Sequence, residues 1–234
     1  MSGSSGFYWA RAAAGAGLIS RRRLAADAVE NIKFRLRGST DEATDKVMRR
    51  VGDILRGKRR LDFMRLGPQV LAGVLPRLYP QMLQIAWEHQ DAGRGVYIVT
   101  AASQDTAELI AHVLGFDGGL GTPLEERDGI YTGRLAGPMA YREGKAQVMR
   151  RLAGEQGLDL AESYAYSDSE SDLPMLRAVG HPVAVNPDSE LLRVARTEGW
   201  DVLRFDRLGG HLKMVGALAV ATAVGGAGRR FASR

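Results

Sequence analysis

The residues of this chain best suited to chemistry lie in the run Tyr166-Ser167-Asp168-Ser169-Glu170-Ser171-Asp172-Leu173-Pro174-Met175-Leu176. Asp168 and Asp172 stand four positions apart in a small-residue loop. Tyr164-Ala165-Tyr166 reads as the end of a buried strand. Pro174 falls in the first turn of a following helix, where its missing N–H costs nothing. A strand that ends in such a loop and turns into a helix points its acids at the carboxyl edge of a sheet, where open α/β sheets bind ligands. Two carboxylates there suit a hard cation such as Mg²⁺, which takes one or two of them plus water and phosphate oxygens. The run equally suits a solvated helix-capping loop, because Asp and Ser are favoured at N-caps. A calcium loop is excluded: its sixth position would be Leu173 and not Gly, its twelfth Val179 and not Glu.

Two further features could act on phosphate. Thr100, in Val99-Thr100-Ala101-Ala102-Ser103, ends an apolar strand. Its hydroxyl, and the N–H groups where the chain turns into a helix, could hold phosphate oxygens. Lys145, in Gly144-Lys145-Ala146, stands near a helix start and could neutralise phosphate as a point cation. Taken singly, a strand-ending Thr and a surface Lys are ordinary. No P-loop is present: Met139 replaces its first Gly and Ala146 its Ser/Thr.

The elements that must position these residues fall into two groups. Before residue 95 the pattern is helical: 7–14, a helix capped by Ser20 and ended by Gly38, and a capping box at 39–42 leading to Val47, Val51, Ile54 and Leu55. Further helices are predicted at 61–78, interrupted by Pro68 and Pro76, and at 81–90. From residue 95 the elements alternate: strand 95–100, helix 105–114, a hairpin about Asp128-Gly129, helix 143–152, strand 163–166, helix 173–178, strand 182–186, helix 189–197 and strand 202–205. Helices followed by alternating elements predict a helical module and an α/β core with a parallel sheet.

Composition is that of a globular chain, with 45% apolar and 25% charged residues in 234. The absence of cysteine excludes disulfides, thiolate metal sites and cysteine nucleophiles, and fits a reducing, cytoplasmic setting. The net charge of +5 is spread over helix faces, which argues for anionic substrates and against nucleic acid. Residues 214–228 carry no charge but fall short of the ~20 a membrane helix needs. A docked or frayed tail is expected, with a weak membrane contact through 214–230 as the alternative.

Hydroxyl after a strand, then Lys, then an Asp loop is an order that resembles the haloacid-dehalogenase (HAD) superfamily. The resemblance extends to Asp128-Gly129-Ile-Tyr-Thr-Gly-Arg134, Asp172-Leu-Pro-Met-Leu176 and Ala184-Val-Asn-Pro187, and points to its phosphoserine-phosphatase-like subclass IB. It implies an α/β, Rossmann-like parallel sheet with a helical cap: cap at 1–82, core at 83–206 with a hairpin at 123–134, tail at 207–234. It implies a Mg²⁺-dependent phosphomonoesterase acting on a small phosphorylated metabolite such as phosphoserine through an aspartyl-phosphate. Thr100, with the backbone of Ala101, matches the phosphoryl-binding motif, and Lys145 the lysine that steadies the aspartyl-phosphate. Asp168 matches the Mg²⁺ ligand and Asp172 the second acid. Ser171 stands where relatives often carry Asn, as a phosphate contact.

The chain departs from the family at one motif. Asp-x-Asp-x-Thr, whose first Asp is the nucleophile and whose second is the acid/base, does not occur, and the first aspartate is Asp27. Gly3-Ser4-Ser5-Gly6 resembles the residues immediately downstream of that motif in relatives. The expectations are therefore a start just downstream of a central strand, a sheet split where that strand would lie, and an inactive polypeptide. The alternatives are a non-catalytic phosphate- and Mg²⁺-binding scaffold and a membrane-associated lipid-phosphate phosphatase.

Overall fold

The computed structural model describes residues 5–20 and 49–205. The helix expected from Ser20 to 36, the capping box at 39–42 and the tail segment 214–230 lie outside the described residues. The chain divides into two compact units, Met1–Leu203 and Arg204–Arg234, and only Arg204 and Phe205 of the second are described. No described helix is long and apolar enough to cross a membrane.

The helical part comprises α1 (Ser5–Gly15), the described part of α2 (49–55), α3 (Arg60–Met64), α4 (Gly67–Val74), a 3₁₀ turn (Leu75–Arg77) and α5 (Pro80–Asp91). Pro68, Pro76 and Pro80 each stand in a first turn, so the prolines that interrupt the helical pattern also begin the next element. Ala12, Ala13, Leu55, Phe63, Leu66, Val70 and Val74 bury their side chains together with Ile110 and Tyr131 of the α/β part. Val70 and Val74 are fully buried, worth about 1.5–3 kcal/mol each.

The α/β part begins with β1 (Tyr97–Ser103), α6 (Gln104–Leu114) and β2 (Gly118–Thr122), whose strands pair in parallel. β3 (Leu124–Arg127) and β4 (Ile130–Leu135) form the expected hairpin, with Asp128 and Gly129 both at positive φ. Then come α7 (Glu143–Gln156), β5 (Tyr164–Ser167), a 3₁₀ turn (Glu170–Asp172), α8 (Leu173–Leu176), β6 (His181–Val185), α9 (Ser189–Glu198) and β7 (Asp201–Leu203). β5, β6 and β7 make a parallel three-stranded sheet in that order.

One difference from the sequence expectation matters. β2 was not foreseen, because Gly118-Gly119-Leu120-Gly121-Thr122 has poor strand propensity. Packing selects glycine there: a Cβ on Gly119 would stand 2.2 Å from the Ala107 carbonyl carbon, and one on Gly121 2.7 Å from the Ser103 oxygen. The split of the sheet is as expected: among the described residues the parallel strands form two sheets, β1–β2 and β5–β6–β7. Among the described residues β1 and β5 each pair on one side only. The halves still share a core, since Val99 of β1 packs on the cluster of Ala165, Met175, Leu176, Ala184, Leu191 and Ala195.

Candidate active site

At the carboxyl end of β5, Ser167 leads into the acidic loop. Asp172 is buried, and its Oδ2 accepts from Lys145 Nζ at 2.7 Å and from Ser167 Oγ at 2.6 Å. Its Oδ1 is buried without a hydrogen-bond partner. Burial pushes the Asp168 carboxyl above its ordinary value, and the charge of Asp172 adds to that. An orphaned carboxylate oxygen beside the second, solvent-accessible carboxylate of Asp168 is a donor set that fits a hard cation, which takes one or two carboxylates and completes its shell with water and phosphate oxygens. Among the described residues no third His, Cys, Asp or Glu joins them into a larger cluster.

Ser169 Oγ accepts from the N–H of Ser171 at 3.3 Å, and the two hydroxyls lie 3.1 Å apart. The loop is tied to the start of α9: the Asp188 N–H donates to the Asp168 carbonyl at 3.0 Å, and Asp188 Oδ2 accepts from the Glu170 N–H at 2.9 Å. Asp188 Oδ1 also caps α9 through the Leu191 N–H at 2.8 Å.

Lys145 lies in the first turn of α7, after a tightly wound loop. Tyr141 N–H donates to the Met139 carbonyl at 2.8 Å and Gly144 N–H to the Tyr141 carbonyl at 2.9 Å. A Cβ on Gly144 would stand 1.7 Å from the Met139 oxygen, so only glycine fits before the lysine. Arg142, at the N-cap, has φ 48° and ψ −123°, a region that non-glycine residues adopt only under strain. Its guanidinium lies 3.6 Å from Glu170, joining this loop to the acidic one.

Thr100 does not end β1 as expected. The strand runs to Ser103, but regular pairing with β2 stops at Val99 and the register shifts before Ser103. Thr100 therefore opens an irregular turn, with its Oγ1 accepting from the Ala102 N–H at 3.2 Å. Thr100, Ala101, Lys145, Asp168, Ser171 and Asp172 all line one cavity of about 1540 Å³, which continues between residues of β1 and β5. The sequence-predicted residues thus come together. Sequence reasoning missed the roles of Ser167 and Asp188. Asp188 carried a readable signal, an acid one residue before a predicted helix; Ser167 carried none of its own.

Residues 1–177 match the haloacid dehalogenase-like hydrolases. A phosphoserine phosphatase of Mycobacterium tuberculosis is 35% identical over 99% of this chain and 76% of its own length. A histidinol-phosphatase of Neisseria meningitidis is 37% identical over 56% of this chain and 61% of its own length. Among solved structures, a Bordetella pertussis protein of unknown function superposes with a TM-score of 0.74 at 29% identity, covering 86% of this chain and 91% of that one.

Proposed function

Because this chain belongs to the haloacid dehalogenase-like hydrolase family and is an enzyme of its phosphatase kind, we propose that Thr100, Lys145, Asp168 and Asp172 hold the phosphoryl group and Mg²⁺ of a phosphomonoesterase. One observation carries the reading: the Lys145 ammonium and the orphaned Asp172 carboxylate face one cavity together with the Thr100 turn. Mg²⁺, held by Asp168 and Asp172, would neutralise phosphoryl charge. Lys145 adds a point cation, fixed in place by Asp172. The Thr100 hydroxyl, the backbone N–H of Ala101 and the Ser171 hydroxyl, which line the same cavity, can take phosphoryl oxygens.

Transfer to an aspartate splits hydrolysis into two easier steps. The carboxylate nucleophile of that route is not among these groups, and Asp-x-Asp does not occur in the 234 residues. The 234-residue polypeptide is therefore expected to bind Mg²⁺ and phosphate without turnover. Among the described residues β1 and β5 pair on one side only, which supports this, because the family resemblance places the strand bearing such a carboxylate between them. The names of the two relatives support a small phosphorylated metabolite as substrate, with phosphoserine as the default. A scaffold that binds without catalysis is the second reading, favoured by the same missing motif.

The test is calorimetric titration with phosphoserine and Mg²⁺ alongside an aryl-phosphate hydrolysis assay. The expected result is binding that Lys145→Ala abolishes, with no hydrolysis. Hydrolysis that Asp168→Asn abolishes would overturn the inactivity, and absence of binding would overturn the site.

A further inference from the structure

Thr122, at the end of β2, is 1% exposed, and its hydroxyl bonds to neither acid of the site. Its hydroxyl is used twice. It donates to the Ala101 carbonyl at 3.0 Å and accepts from the Ala140 N–H at 3.1 Å. Ala101 is the residue after Thr100, in the irregular turn of β1. Ala140 is fully buried in the wound loop that ends at Lys145. One buried hydroxyl thus bridges the two segments that present Thr100 and Lys145 to the cavity. The lysine loop is stiff on the far side of the bridge: Gly144 packs against the Met139 oxygen, and Lys145 N–H donates to the Arg142 carbonyl at 3.1 Å. A shift at Ala140 is therefore carried along the loop to the ammonium and is not absorbed by slack.

We propose that Thr122 is a positioning residue that fixes the separation between the Thr100–Ala101 turn and Lys145, and so the grip on the phosphoryl group. The inference rests on the phosphate-site reading above. Replacing the hydroxyl by a methyl of the same shape leaves a buried carbonyl and a buried N–H unpaired, and the two segments separate. Binding energy that depends on exact placement is lost with small displacements. The acids lie on the other half-sheet, so Mg²⁺ binding in the absence of phosphate does not depend on Thr122.

The test uses residues 1–234 with inorganic phosphate and Mg²⁺ as probes in calorimetry. Thr122→Val is expected to weaken phosphate about tenfold, and Thr122→Ser to keep it within about twofold. The affinity for Mg²⁺ alone stays the same in all three proteins. Equal phosphate affinity in Thr122→Val and wild type would overturn the proposal. So would a parallel loss of phosphate and Mg²⁺ binding in Thr122→Val, which marks general loosening. If the wild type binds no phosphate, the phosphate-site reading itself fails. Should Thr122→Val not fold, amide exchange in the wild type decides. Saturating phosphate is then expected to slow exchange of the Ala140 N–H more than that of amides in α9, and equal slowing would overturn the proposal.

Discussion

Two regions of this molecule hold aspartates at least partly withdrawn from water, and they are built to opposite ends. Asp105, in the first turn of α6, has both oxygens answered. Arg60 donates to Oδ1 from Nη2 at 2.6 Å and reaches Oδ2 from Nε at 3.2 Å, while Tyr131 Oη donates to Oδ2 at 2.8 Å. Burial alone would push this carboxyl up, but the hydrogen bonds from Arg60 and Tyr131 outweigh it and hold the carboxyl below its ordinary value. At Asp168 and Asp172 the balance is reversed. Asp172 has one satisfied oxygen and one orphan, and burial holds Asp168 above the ordinary value. The first region is a finished joint between α3, α6 and β4. The second is unfinished by protein alone, as a site that waits for a cation and a phosphate must be.

The largest expected effect breaks the finished half of the second region. Asp172→Ala leaves the Lys145 ammonium, 12% exposed, without its carboxylate, and is expected to cost about 3–5 kcal/mol in urea unfolding. Adding Lys145→Met to Asp172→Leu should recover most of that loss. If the single and double variants are equally unstable, the pair is not what holds the loop.

Next comes the finished region. Asp105→Asn is expected to lose about 1–3 kcal/mol, toward the lower end because Arg60 is 38% exposed. This loss should leave Mg²⁺ affinity unchanged. The same variant gives a pH signature. A carboxyl held below its unfolded value contributes stability that is fully present above the ordinary carboxylate range and is lost as pH falls through the lowered value. The gap in unfolding free energy between wild type and Asp105→Asn should thus be constant from about pH 7 to 5 and shrink below about pH 4. A gap that instead grows on acidification would contradict the assignment.

The smallest effect is the sharpest contrast. In EDTA, Asp168→Asn should leave the unfolding free energy within about 0.5 kcal/mol of wild type or raise it, because desolvation and the charge of Asp172 disfavour this carboxylate more than its neighbours favour it. A clear loss of stability would mean that Asp168 is already satisfied and that the two regions do not differ.

Much of this was legible in the sequence, for identifiable reasons. The Asp128-Gly129 hairpin was readable because both turn positions need positive φ and that dipeptide supplies it. The acidic loop was readable because Pro174 and the apolar run around it fix a strand-to-helix turn. β2 was not readable, since its glycines answer to the backbone of α6 and not to strand propensity. The end of β1 was misplaced because its last pairing with β2, Ser103 with Thr122, comes after a register shift that no local pattern announces. Thr122 was invisible for the same reason: its two partners lie 21 and 18 residues away, and only the fold brings them to one hydroxyl.

The most direct test of the account is calorimetric titration of Mg²⁺ into residues 1–234 with inorganic phosphate present, repeated with Asp168→Asn and Asp105→Asn. The account predicts one saturable site in the wild type, retained in Asp105→Asn and weakened at least about 100-fold in Asp168→Asn. Absence of binding in the wild type, or equal binding in Asp168→Asn, would contradict it.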